Sequence, residues 1–211
     1  MSELSHSILR GATGLGLFAA ITVGVVAVTH SLTAERIEEN RLASQHRALG
    51  QVVPEALQDG DPLDAITLPA SGALGQSSEF IAWRVEANGQ ARAVILPAIA
   101  HDGYSGDISL LVGIAANGEL TGVRVLSHRE TPGLGDKIDV RKSDWITQFS
   151  GLSLGNPPLD QWAVKKDGGV FDAFTGATIT PRAVVGAIRR SLEYFAANRA
   201  TLLGKPQGDE P

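Results

Sequence analysis

The residues best suited to chemistry in this sequence are Asp172-Ala173-Phe174-Thr175-Gly176-Ala177-Thr178, followed directly by Ile179-Thr180-Pro181. Gly176 and Ala177 are small and let another molecule approach the backbone just ahead of a threonine hydroxyl. Thr180 and Pro181 have the types expected of a helix N-cap and a first helical residue. A helix start leaves N–H groups unpaired and carries partial positive charge, a combination that suits phosphate. The chemistry on offer is therefore a hydroxyl held beside a phosphate-friendly helix start. An ordinary turn before a capped helix uses the same residue types, so this stretch alone leaves both readings open.

A second candidate stretch is Ser127-His128-Arg129-Glu130-Thr131-Pro132-Gly133-Leu134-Gly135-Asp136-Lys137. Pro132-Gly133 is a strong type II turn signal. A rigid turn that exposes backbone N–H groups and a leucine side chain also makes a wall for a flat ring. His128 reads as a solvated side chain at a strand end, although its titration range would suit proton transfer. Lys165-Lys166 reads as a solvated face that could approach a phosphate. His101 and Tyr104 open a glycine-rich loop and stay unassigned. No His/Asp/Glu spacing suits a metal, and no Ser/His/Asp set is legible from order alone. No catalytic residue and no metal ligand is assigned.

These stretches need elements to hold them. The chain has 211 residues and a net charge of −5, which gives no pointer to nucleic acid. It has no cysteine, which excludes disulfides, thiolate metal sites, iron–sulfur ligation and a lipoprotein-type anchor. Gly11 to Thr29 carries no charge and extends to Leu32 if His30 lies at an interface, long enough to cross a bilayer. A buried core helix would show a polar face, and a cleaved signal peptide would want small residues that Ala27/Thr29 and Thr29/Ser31 supply poorly. Arg10 before the span and Arg36, Arg41 and Arg47 after it leave its direction open.

The expected organisation is a short N-terminus (1–10), a transmembrane helix (11–32), a helical and irregular connector (33–70), one domain (71–203) and a disordered tail (204–211). The connector begins as a charged helix and is broken at Pro54, Gly60, Pro62 and Pro69. Phe80 to Glu86 and Ala91 to Ile99 flank Asn88-Gly89, a hairpin signal, and Ile108 to Ala115 and Leu120 to Leu126 flank Asn117-Gly118. Trp145 to Phe149 is helix-compatible, and Trp162 to Lys166 reads as a further strand. From Pro181, Val184, Ile188, Leu192 and Phe195 fall on one helix face. Antiparallel hairpins with packed helices make the expected fold class α+β.

Asp-x-x-Thr-Gly-Ala-Thr resembles the flavinylation motif of covalent FMN-binding domains, and Ser127 to Lys137 resembles the second signature of that family. With the N-terminal span and the chain length, the whole resembles the G-subunit family of Rnf electron-transport complexes. The C subunit of the sodium-pumping NADH:quinone reductase shares the domain on a typically longer chain.

The resemblance implies one covalent FMN per chain, esterified through its phosphate to Thr178. A separate Mg2+-dependent flavin transferase would make the bond: the threonine hydroxyl attacks the phosphoanhydride of FAD and AMP leaves. Asp172, Thr175, Gly176 and Ala177 would complete the acceptor motif, and Glu130, Thr131, Leu134 and Gly135 would contact the flavin. It further implies a single-pass inner-membrane subunit with its FMN domain periplasmic. Such a subunit carries electrons with other membrane subunits of a ferredoxin:NAD+ oxidoreductase that moves ions. A non-redox membrane-tethered binding or assembly module is the competing reading.

Overall fold

The computed structural model describes residues 2–53, 63–87 and 89–204. The breaks expected at Pro54, Gly60 and Pro62, the turn residue Asn88, and tail residues 205–211 lie outside the described residues. The chain forms two compact units, one ending at Gln45 and one beginning at His46.

Helix α1 runs Ser2–Val52. Within it, Ile8–Ala34 is 27 residues of mean hydropathy 2.0 with none of that window buried. At 1.5 Å per residue this is about 40 Å, ample for a hydrocarbon core of about 30 Å. Its large apolar side chains, Leu15, Phe18, Ile21 and Val25 among them, all point outward and are exposed. The polar hydroxyls in this stretch are absorbed by the helix itself: Thr13, Thr22 and Thr29 each donate to the carbonyl four residues back at 2.8 Å. That leaves no unpaired side-chain hydroxyl from these threonines on an apolar surface. By length and composition the helix can cross a membrane once.

In the second unit, strands β1 (Asp64–Leu68), β2 (Phe80–Ala87), β3 (Gln90–Ala100), β4 (Ile108–Ala115) and β5 (Leu120–Ser127) form one antiparallel sheet in sequence order. Both expected hairpins are present. Ala87 pairs with Gln90 around Gly89 at φ +70°, and Ile114 pairs with Leu120 around Gly118 at φ +93°. Positive φ is the reason glycine follows asparagine in both turns. The stretch expected as connector contributes β1, which pairs with β2 from Asp64↔Arg84 to Leu68↔Phe80.

Strand alternation gives the sheet two apolar faces. Val94, Leu96, Ala98, Leu110, Val112 and Ile114 belong to the larger core, beneath helix α2 (Ile179–Leu203). The expected helix stripe is buried there: Val184, Ile188, Leu192 and Phe195 are each at most 3% exposed. Val85, Ala93, Ile95 and Leu111 form the opposite face, capped by Ala48, Leu49 and Val52 from the end of α1 and by Val53 just after it. Two cross-strand glycines make that docking possible. Gly113 pairs with Gly122, and a Cβ on either would meet Val52. Thr121 Oγ1 then donates to the Val52 carbonyl at 2.7 Å, and Arg124 Nε to Gln51 Oε1 at 3.0 Å.

Between β5 and α2 the chain forms short 3-10 turns around an aromatic cluster. Trp145 lies edge-on to Phe149 and Phe174, and Phe149 and Trp162 both pack on Phe171. Trp162 to Lys166 forms no strand. Val164 makes a single bridge to Phe171, and Lys165–Asp167 coils into a 3-10 turn closed by Gly168 at φ +88°. A chain reversal that tight, at Asp167-Gly168-Gly169, leaves no room for a paired strand.

Candidate functional site

The two chemistry-bearing stretches, some 40 residues apart, converge on one cavity of about 680 Å³. One side is Glu130, Thr131, Leu134 and Gly135; the other is Gly176, Ala177, Thr178, Ile179, Thr180 and Arg182; Tyr104 and Lys166 complete the lining. The first stretch is a tight turn. Leu134 N–H and Gly135 N–H both donate to the Thr131 carbonyl at 3.1 Å, and Gly133 N–H donates to Asp136 Oδ1 at 2.8 Å. Gly133 sits at φ +79°, which a Pro-Gly turn needs. This turn leaves Leu134 43% exposed, with its Cδ2 3.8 Å from the position a Cβ would take on Gly176.

The second stretch is held by its flanks. Phe174 packs on Trp145, and the Trp145 Nε1–H donates to the Asp172 carbonyl at 2.9 Å. Ala177 N–H returns to the Phe174 carbonyl at 3.0 Å, with Gly176 at φ +81° between them. That small loop delivers Thr178 to the N-cap position of α2, with φ −72° and ψ −29°. Its hydroxyl makes no capping bond. The N–H groups of Ile179 and Thr180 have no earlier helical carbonyl to bond, and Pro181 has no N–H at all. An uncommitted hydroxyl, two orphan donors and the positive end of a 25-residue helix therefore meet at one edge of the cavity.

Thr180 differs from the expected N-cap. The helix begins at Ile179, so Thr180 is the second helical residue and Pro181 the third. Thr180 is fully buried, and its hydroxyl donates to Glu130 Oε2. Glu130 is 4% exposed, and its Oε1 accepts from Ser105 N–H at 2.9 Å. Gly135 is required at this contact, because a Cβ there would lie 2.8 Å from Thr180 Oγ1 and 3.1 Å from Glu130 Oε2.

Charge around the mouth is arranged by exposed pairs. Arg182 grips Asp167 through Nε and a terminal nitrogen at 2.5 and 2.8 Å, which holds the Asp167 carboxyl below its ordinary range. Lys165 Nζ meets Asp172 Oδ1 at 2.7 Å. Asp172 and Thr175 are exposed and are not among the residues that line the cavity. Sequence reasoning missed Tyr104, Ile179, Thr180 and Arg182 as lining residues. Ile179, Thr180 and Arg182 carried a signal, lying within four residues of Thr178; Tyr104 arrives from the β3–β4 loop with none.

The residues present suit a flavin mononucleotide. The helix start with Lys166 matches a phosphate, Leu134, Ile179 and Tyr104 give apolar surface for a ring, and backbone and carboxylate groups offer polar contacts.

Two families match the chain: the FMN-binding domain over residues 103–193, and the RnfG N-terminal region over residues 1–52. The chain is 52% identical over 199 residues to the G subunit of the ion-translocating oxidoreductase complex of Pseudomonas aeruginosa UCBPP-PA14, covering 94% of this chain and 93% of that protein. It is 45% identical over 208 residues to the corresponding G subunit of Shewanella loihica, covering 98% of each. With that of Vibrio cholerae O395 it shares 45% over 192 residues, covering 91% and 92%. The chain carries an FMN-binding domain and belongs to the G-subunit family of ion-translocating oxidoreductase complexes.

Proposed function

We propose that this chain is a single-pass membrane flavoprotein that carries electrons through one FMN esterified to Thr178, as a subunit of an Rnf-type ion-translocating ferredoxin:NAD+ oxidoreductase. The observation that carries this reading is Thr178 itself: a threonine at an N-cap position whose hydroxyl is not spent on capping, at the edge of a cavity large enough for a flavin.

FMN supplies reversible electron uptake and release, which no cysteine or metal-ligand motif of this chain offers. The residues themselves bind and orient. The Ile179 and Thr180 N–H groups and Lys166 would offset the charge of a phosphate on Thr178. Leu134, Ile179 and Tyr104 would give a bound flavin apolar surface, while Glu130 and Thr131 would offer it polar groups. Covalent attachment suits a relay, because a tethered cofactor is not lost between turnovers.

Other parts of the reading rest on family membership. A flavin transferase makes the ester, with the exposed Asp172 and Thr175 as its recognition residues. Helix Ile8–Ala34 anchors the chain in the bacterial inner membrane, and the FMN domain faces the periplasm.

The test is co-expression of the full chain with a flavin transferase, followed by denaturing gel electrophoresis under ultraviolet light. Flavin fluorescence that survives denaturation in the wild type and is absent from Thr178→Ala supports the reading. A dark wild-type band beside a fluorescent control flavoprotein made in the same cells rejects it in favour of a non-redox module.

A further inference from the structure

Thr180 is spent unlike the threonines of α1. Thr13, Thr22 and Thr29 donate back to their own helix, the ordinary outlet for a helical threonine. Thr180, fully buried in the first turn of α2, instead donates across 50 residues of sequence to Glu130 Oε2. Ser105 N–H, from the loop that brings Tyr104 to the cavity, takes the other carboxylate oxygen at 2.9 Å. Both carboxylate oxygens thus accept a hydrogen bond from the protein.

Among the described residues no lysine, arginine or histidine forms an ion pair with Glu130, so its two protein partners are neutral donors. Gly135 keeps the contact closed, since any side chain there would push Thr180 and Glu130 apart. A buried carboxylate fixed by neutral donors projects its charge into the space it borders, because little solvent screens it.

We propose that Thr180 is a positioning residue that holds the Glu130 carboxylate in the wall of the FMN cavity, where its fixed negative charge lowers the reduction potential of the bound flavin. The inference rests on the flavoprotein reading above. Reduction adds negative charge to the flavin, and a neighbouring fixed anion makes that addition less favourable. The same clamp ties the Tyr104 loop to α2, so Thr180 also sets where that side chain lies.

The experiment is spectroelectrochemical titration of the full chain carrying FMN, comparing wild type with Glu130→Gln, Thr180→Val and Thr180→Ser. Glu130→Gln removes the charge and keeps the shape. It is expected to shift the reduction equilibrium at least tenfold towards the reduced flavin, about 30 mV for a two-electron couple. Thr180→Val, which removes only the donor, is expected to move it in the same direction. Thr180→Ser restores the hydroxyl and is expected to stay within about threefold of wild type. A purely structural role for Thr180 would leave the potential unmoved.

Flavin present in all four proteins with unchanged potentials, or Thr180→Ser behaving as Thr180→Val, overturns the inference and leaves the flavoprotein reading standing. Covalent flavin absent from the wild type, with a loaded control, removes both. If Glu130→Gln does not load flavin, hydrogen exchange on the unflavinylated chain takes its place. Loss of Ser105 amide protection in Thr180→Val but not in Thr180→Ser supports the clamp, and equal protection in the two overturns it.

Discussion

Gly135→Ala is the substitution whose cost the geometry defines best. Gly135 is buried, and its backbone is outside the left-handed region, so alanine is conformationally acceptable. Loss of glycine freedom in the unfolded chain would by itself stabilise by about 0.4–1 kcal/mol. Against this, the new methyl would lie 2.8 Å from Thr180 Oγ1, 3.0 Å from Glu130 Cβ and 3.1 Å from Glu130 Oε2. Overpacking of this kind costs about 1–3 kcal/mol. The displaced hydroxyl also loses a hydrogen bond to a charged group, a contribution of about 1.5–3 kcal/mol.

The net expectation for Gly135→Ala is a loss of about 2–6 kcal/mol once the backbone gain is set against the two costs. Gly133→Ala, two residues earlier, is the matched control. No atom lies within 4 Å of its added Cβ, so only its φ of +79° is strained, worth about 1–2 kcal/mol. Urea unfolding of the full chain in mild detergent, followed by tryptophan fluorescence, measures both. The three tryptophans include Trp145 and Trp162 beside the site. If Gly135→Ala is as stable as wild type, or less harmful than Gly133→Ala, the close Thr180–Glu130 contact does not exist as described. In a Thr180→Val background Gly135→Ala is expected to cost less, because the bond it breaks is already gone.

Two further expectations follow from features away from the cavity. Gly113→Ala would place a methyl against Val52 Cγ1 and Thr121 Oγ1 and 3.0 Å from the Val52 carbonyl. It should cost about 1–3 kcal/mol in the same unfolding assay and release the amides of the last turn of α1 to hydrogen exchange. His101 is held by Asp107 Oδ1 at 2.8 Å and the Gly75 carbonyl at 3.0 Å, and the Asp107 bond above all raises its pKa from 6.5. A raised folded-state pKa gives stability that is complete below the unfolded value and lost as pH rises through the folded one. Unfolding midpoints taken upward from about pH 6.5 should therefore fall in wild type and stay flatter in His101→Ala; parallel profiles would dismiss the pair as a contributor.

Much of the scaffold is legible in the sequence because its signals are local. Asn-Gly dipeptides place the two hairpins, and the Val184, Ile188, Leu192 and Phe195 spacing gives the buried face of α2. The apolar run at the N-terminus reads directly as a helix of membrane-crossing length, three residues longer at its start and two at its end than expected. What escapes sequence reading depends on distant partners. Strand β1 is five residues of mixed pattern between prolines, and it becomes a strand only by pairing with β2.

The site divides in the same way. Glu130, Thr131, Leu134, Gly135, Gly176, Ala177 and Thr178 meet at the cavity, whereas Asp172 and Thr175 are exposed and do not line it. The Thr-Pro pair points to a cap at Thr180, yet proline is also tolerated at the second and third helical positions, whose N–H groups have no acceptor within the helix. The helix therefore starts earlier, and Thr178 takes the cap position. No sequence rule connects Thr180 to Glu130, because fifty residues and the whole β5–α2 segment lie between them.

The most direct test of the central claim is tandem mass spectrometry of the tryptic peptide Asp167–Arg182, from full chain co-expressed with a flavin transferase. It contains Thr175, Thr178 and Thr180 together. The account predicts a mass increase of one FMN less one water, localised to Thr178 and absent from Thr178→Ala. The same increase localised to Thr175, or an unmodified peptide beside a modified control flavoprotein, would contradict it.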